Sequence, residues 1–189
     1  PASPSTPLPV SGPVLPAPAP PSRFFQGAQS VADPSRVVVA SAGDIACAAD
    51  PGGFKSEERN SPVRCQAEAT AGLVDTIAPD AVLTLGDHQY PDGSLERFRS
   101  GYDRTWGRFR AITHPVPGNH EYETDRSASA YYDYFGDLAG PRGLGYYAYN
   151  AGPWRIIALN SEIPHDVGSA QLTWLRNELT TSRTQCTIA

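Results

Sequence analysis

The sequence predicts an α/β fold, a parallel sheet covered by helices. Three observations point there. Short apolar runs recur at residues 37–40, 81–85 and 112–116. Stretches of helical periodicity separate them. Each run also gives way to a glycine followed by polar residues: Gly43-Asp44, then Gly86-Asp87-His88-Gln89-Tyr90, then Gly118-Asn119-His120-Glu121.

The elements read in order as follows. Val37-Val38-Val39-Ala40 is a first buried strand. Ser61-Pro62 offers a hydroxyl cap and a first-turn proline for a helix start. Val63, Ala67, Thr70, Val74 and Ile77 then recur at helical spacing, and Pro79 stops the run. Residues 81–85 form the second strand. Leu95, Phe98, Tyr102 and Trp106 share one face of a second helix. Residues 112–116 form the third strand, and 131–135 a short aromatic helix. Residues 146–149 and 154–159 are two further strands around the turn composition Asn150-Ala151-Gly152-Pro153. Leu172, Leu175 and Leu179 mark a last helix, and 186–189 begins another apolar run.

Two regions are expected. Residues 1–35 are a Pro/Ala-rich extended spacer; nine of the 19 prolines fall in residues 1–21, which carry no charge and cannot bury a core. Residues 36–189 form the folded domain. The chain has no Met, so it is taken to begin after a processing event or at an engineered boundary; the spacer suits a secreted bacterial protein whose signal peptide has been removed. No apolar stretch reaches membrane-spanning length, and no membrane association is expected. The net charge of -5, without a long basic run, argues against specific nucleic-acid binding. Cys47 and Cys65 flank a polar loop and are expected to pair in an exported protein. Cys186, in an apolar tail, is expected to be a buried free thiol. No C-x-x-C spacing supports a thiolate metal site.

In open α/β sheets ligands bind beyond the carboxyl ends of the strands. If the three strands are parallel neighbours, Asp44, Asp87 and Asn119 meet at one rim. Two carboxylates, an amide, a phenol (Tyr90) and an imidazole (His120) suit a hard or borderline cation. Each alone has a simpler reading. Gly-Asp after a strand serves as a turn or helix cap, Tyr90 as a packing aromatic, and His120 as a surface imidazole. His88 reads equally as a solvent-facing loop residue or a substrate contact. His114, within a strand, reads as structural, and His165 as exposed.

The segments GDIAC at 43–47, LTLGDHQY at 83–90 and HPVPGNHEY at 114–122 resemble the calcineurin-like metallophosphoesterase superfamily. The resemblance is closer to its secreted, purple-acid-phosphatase-like members and covers roughly residues 36–189. It implies a four-layer α/β/β/α sandwich and hydrolysis of phosphate esters at two metal ions, iron with zinc or manganese. By motif, Asp44 and Tyr90 would bind the first metal, Asp87 would bridge both, and Asn119 would bind the second. His120 would steady phosphoryl oxygens or protonate the leaving group. Two cations in such sites clamp the attacking and leaving oxygens and acidify bound water.

The chain departs from the family in two ways. Its first motif reads Asp44-Ile45-Ala46 where the family has D-x-G. It also lacks the V-x-x-H and G-H-x-H segments that complete the site. It is therefore read as the N-terminal half of the sandwich, truncated before the C-terminal half. The expected partners are a small phosphate-ester substrate and that missing half, as a continuation or a separate chain. The alternative is a non-catalytic fragment or binding module without the C-terminal histidines.

Overall fold

The computed structural model describes residues 36–47, 65–184 and 186–189. The expected N-terminal spacer and the Ser61-Pro62 helix start lie outside the described residues.

The fold is mixed α/β. Its first sheet has three parallel strands in the order β1 (Val39–Ala42), β3 (Ala81–Leu85), β5 (Thr113–Val116). The central strand β3 buries Ala81, Val82 and Thr84, as a strand covered by neighbours on both edges should. The register sets Ala42 opposite Thr84 and Leu85 opposite Val116, so the three strands end nearly level. A two-stranded parallel sheet continues past that rim, β2 (Ala46–Cys47) against β4 (Gln89–Tyr90).

α1 (Ala67–Ile77) follows β2 and packs inward through Ala67, Ala71 and Val74. The expected face included Thr70 and Ile77, but both are exposed; the small Ala71 takes the inner position. A helical stretch links β4 to β5. It runs through α2 (Leu95–Arg97), a π turn (Phe98–Tyr102), α3 (Asp103–Thr105) and a 3-10 segment (Trp106–Ile112). The π turn has a tertiary cause. Gln89 Oε1 accepts the Tyr102 N–H at 2.8 Å, and the Asp103 N–H turns back to Phe98 O, five residues earlier. The predicted inward face holds, since Phe98, Tyr102 and Trp106 are all buried. They join Phe109, Tyr131, Tyr132, Tyr134 and Phe135 in an aromatic core. Phe109 comes from the 3-10 segment and the other four from α5 (Ser129–Phe135), which starts two residues earlier than expected.

The second sheet has the order β6 (Tyr147–Ala151), β7 (Trp154–Ala158), β8 (Cys186–Ile188). β6 and β7 form an antiparallel hairpin, and α6 (Ala170–Thr181) crosses over so that β8 pairs parallel with β7. β6 leans on β5: His114 stacks on Tyr149 with ring centroids 3.8 Å apart, and Tyr147 donates to Pro115 O at 2.8 Å. His114 is thus structural, as expected.

Three expectations need correction. β1 begins two residues later than the apolar run, because Val37 and Val38 precede the pairing that starts at Val39↔Ala81. Cys186 is free but exposed: among the described residues its strand pairs with β7 alone and forms a sheet edge. His88 is neither solvent-facing nor in a substrate-contact position; it is fully buried. The expected Cys47–Cys65 disulfide is present, with Cα atoms 5.9 Å apart. Among the described residues no helix is long and apolar enough to cross a membrane.

Candidate functional site

The level strand ends decide where the polar loops go. Asp44 and Asp87 each follow their strand by two residues, and Asn119 follows by three. The first two loops then run side by side: Asp44 N–H donates to Gly86 O at 3.3 Å, Ile45 N–H to Asp87 O at 3.0 Å and Ala46 N–H to His88 O at 3.0 Å. This ladder leads into the β2–β4 pair and sets Cys47 opposite Tyr90. Asp44 and Asp87 both adopt the left-handed backbone region, with φ of 53° and 50°. A non-glycine residue there costs free energy and is held by its surroundings.

The result is a three-oxygen cluster. The Tyr90 hydroxyl donates to Asp87 Oδ2 at 2.8 Å and also meets Asp44 Oδ1. The two carboxylates therefore lie within two hydrogen-bond lengths of each other. A phenol has one proton to offer two acidic acceptors, so the cluster is short of positive charge. Burial, then the hydrogen bonds to Asp44 and Asp87, push the Tyr90 phenol well above its ordinary range. A cation among these oxygens would reverse that direction, since it favours the phenolate that the carboxylates disfavour. The oxygen donors thus fit a hard or borderline cation.

His120 flanks the cluster. Its ring lies 4.3 Å from the Tyr90 ring, centroid to centroid. Its Nδ1 lies 2.6 Å from Pro91 O, and a carbonyl only accepts, so Nδ1 carries the proton. Nε2 is left facing the rim, 4.0 Å from Asp87 Oδ2. The His120 backbone N–H donates to Asp87 Oδ1 at 3.1 Å. Asn119 is the first residue of α4 (Asn119–Glu123) and is exposed. The structure thus joins Asp44, Asp87, Tyr90 and His120 through direct contacts and sets Asn119 one residue from His120. Among the described residues no three His, Cys, Asp or Glu side chains group as a metal site. Three oxygens are gathered, from Asp44, Asp87 and Tyr90. His165 is exposed, bonded to Ile163 O at 2.8 Å, beside a separate cavity of about 320 Å³ lined by Leu159, Ser161 and Leu175.

Sequence reading missed Glu121 as a member of the site. Its buried carboxylate accepts the N–H groups of Asp87 (2.9 Å), His88 (2.9 Å) and Gly118 (2.7 Å). Burial pushes its pKa up, but the His88 imidazole and the N–H donors overcome this and hold it below the usual carboxylate value. The signal was a Glu three residues after the Gly that caps α4, half of a capping box.

No protein-family model matches the chain, and no curated protein matches it.

Proposed function

We propose that the chain carries part of a dinuclear metal site for phosphate-ester hydrolysis, in the N-terminal half of a calcineurin-like, purple-acid-phosphatase-like four-layer sandwich. The observation that supports this reading is the Asp44–Tyr90–Asp87 oxygen cluster at the rim of a parallel sheet, with His120 beside it. In this reading Asp44 and Tyr90 hold the first metal ion, Asp87 is shared and Asn119 belongs to the second, the pair being iron with zinc or manganese. When bound, such ions supply positive charge for the attacking and leaving oxygens and lower the pKa of water. The chain's own residues do the rest. The left-handed loops aim the carboxylates, and the Pro91 carbonyl turns His120 so that Nε2 faces the substrate. When protonated, it can donate from there a hydrogen bond to a phosphoryl oxygen or a proton to the leaving group. The disulfide fits an extracellular setting.

A second reading is favoured by the absence, among the described residues, of a three-member His/Cys/Asp/Glu group. Here the segment holds one cation weakly and turns nothing over. The deciding experiment is hydrolysis of p-nitrophenyl phosphate, with iron and zinc or manganese supplied. It compares residues 1–189 with a form that also carries V-x-x-H and G-H-x-H segments. Turnover by the longer form, lost in Asp87→Asn and nearly absent from residues 1–189, is expected. No turnover by either form would sink the phosphoesterase reading; equal rates would show that 1–189 already holds a complete site.

A further inference from the structure

We infer that Glu121, backed by His88, is a positioning residue that fixes the two ligand loops relative to each other before any metal arrives. This inference rests on the metal-site reading for its purpose, though not for its geometry. One carboxylate joins two loops that are 31 residues apart in sequence (118 − 87). Oε2 accepts from Asp87 and Gly118, and Oε1 accepts from His88. These bonds hold the Asp87 backbone at its left-handed φ, an arrangement the chain would otherwise relax.

The buried carboxylate in turn needs support, because an ionised group fully out of water is costly unless it is paired and hydrogen-bonded. His88 supplies it. Its Nδ1 lies 3.3 Å from Glu121 Oε1, and its Nε2 is 2.7 Å from Thr84 Oγ1 on β3. Phe98, Tyr102, Tyr131 and Phe135 surround the imidazole at 4.9 to 5.9 Å between centroids, which leaves it no room to swing away. Both side chains are fully buried, so neither reaches substrate. They act on the site only through the backbone of residues 87, 88 and 118. Thr84, two residues before Gly86, ties this support to the central strand.

Glu121→Gln tests the role. The amide keeps the shape but offers one oxygen for three donors and turns its NH₂ toward one of them. Two readouts apply to the metal-free chain and to the chain titrated with Mn²⁺. By NMR hydrogen exchange, the Asp87, His88 and Gly118 amides of the native chain should exchange about as slowly as those of β3. In Glu121→Gln these three should speed up at least about 10-fold more than Val82 and Leu83, since a lost buried bond opens locally. Mn²⁺ affinity of the folded variant should fall about 10- to 100-fold, as for other groups that orient ligands. A purely structural role would lower the melting temperature and leave the affinity of the folded fraction unchanged. Fast exchange of the three amides in the native chain would overturn the inference even if the variant fails to fold. So would a folded Glu121→Gln that binds Mn²⁺ as well as the native chain. If the native chain binds no Mn²⁺ while the three amides are protected, the metal reading fails and the loop latch stands as structure alone, without the positioning role.

Discussion

Gly86→Ala should be among the most damaging small substitutions in the chain. Gly86 has φ of 90°, a region that an L-residue with a Cβ enters only with strain. That strain costs about 1–2 kcal/mol. A Cβ there would also lie 2.8 Å from both Cα and N of Gly118, and backbone cannot swing aside as a flexible side chain can. Separating the two loops would stretch the Glu121 bonds to Asp87 and Gly118 and cost about another 1–2 kcal/mol. The sum is about 3 kcal/mol. With a urea slope of about 2 kcal/mol/M, the unfolding midpoint should drop by about 1.5 M. Gly72→Ala is the control. It sits inside α1 with nothing within 4 Å of a new Cβ, and alanine should stabilise the helix by about 0.5–1 kcal/mol. Urea unfolding followed by far-UV circular dichroism reads both. A Gly86→Ala midpoint within 0.3 M of the parent (about 0.6 kcal/mol at that slope) would refute the close packing of the two loops.

Thiol counting under denaturing, non-reducing conditions should find one free cysteine, and labelling of the folded protein should place it at Cys186; three free thiols would refute the disulfide. Reducing Cys47–Cys65, whose partners are 18 residues apart, should lower stability by about 3 kcal/mol. His114 gives a pH dependence. Burial lowers its pKa to about 4, so between about pH 6.5 and 4 the unfolded chain binds the extra proton and stability falls as pH falls. The loss is on the order of 2–3 kcal/mol, and His114→Phe should flatten that part of a stability–pH profile. An unchanged profile would mean that His114 does not stay neutral in the fold.

The strand positions and loop glycines were legible because both follow from local rules: apolar runs of strand length, and a sharp exit at each end. The level strand ends that gather Asp44, Asp87 and Tyr90 follow from parallel pairing. The place of His88 was not legible, because a histidine after Gly-Asp carries no local sign of burial. Its environment comes from Phe98, Tyr102, Tyr131 and Phe135, which arrive from two later segments. Glu121 was hidden for a similar reason. Its helix-cap role is local, but two of its three partners lie more than thirty residues away. The π turn at Phe98–Tyr102 depends on Gln89, a tertiary contact that periodicity cannot report. Cys186 was misplaced because an apolar tail reads as core, whereas among the described residues β8 forms a sheet edge.

The central claim is that Asp44, Asp87 and Tyr90 bind a metal ion together. The most direct measurement is the visible spectrum of the protein loaded with ferric iron, native against Tyr90→Phe, because a phenolate on ferric iron absorbs visible light. The account predicts a visible band in the native protein that disappears in Tyr90→Phe while the circular dichroism is unchanged. Bound iron without such a band in the native protein, or a band that survives Tyr90→Phe, would contradict it.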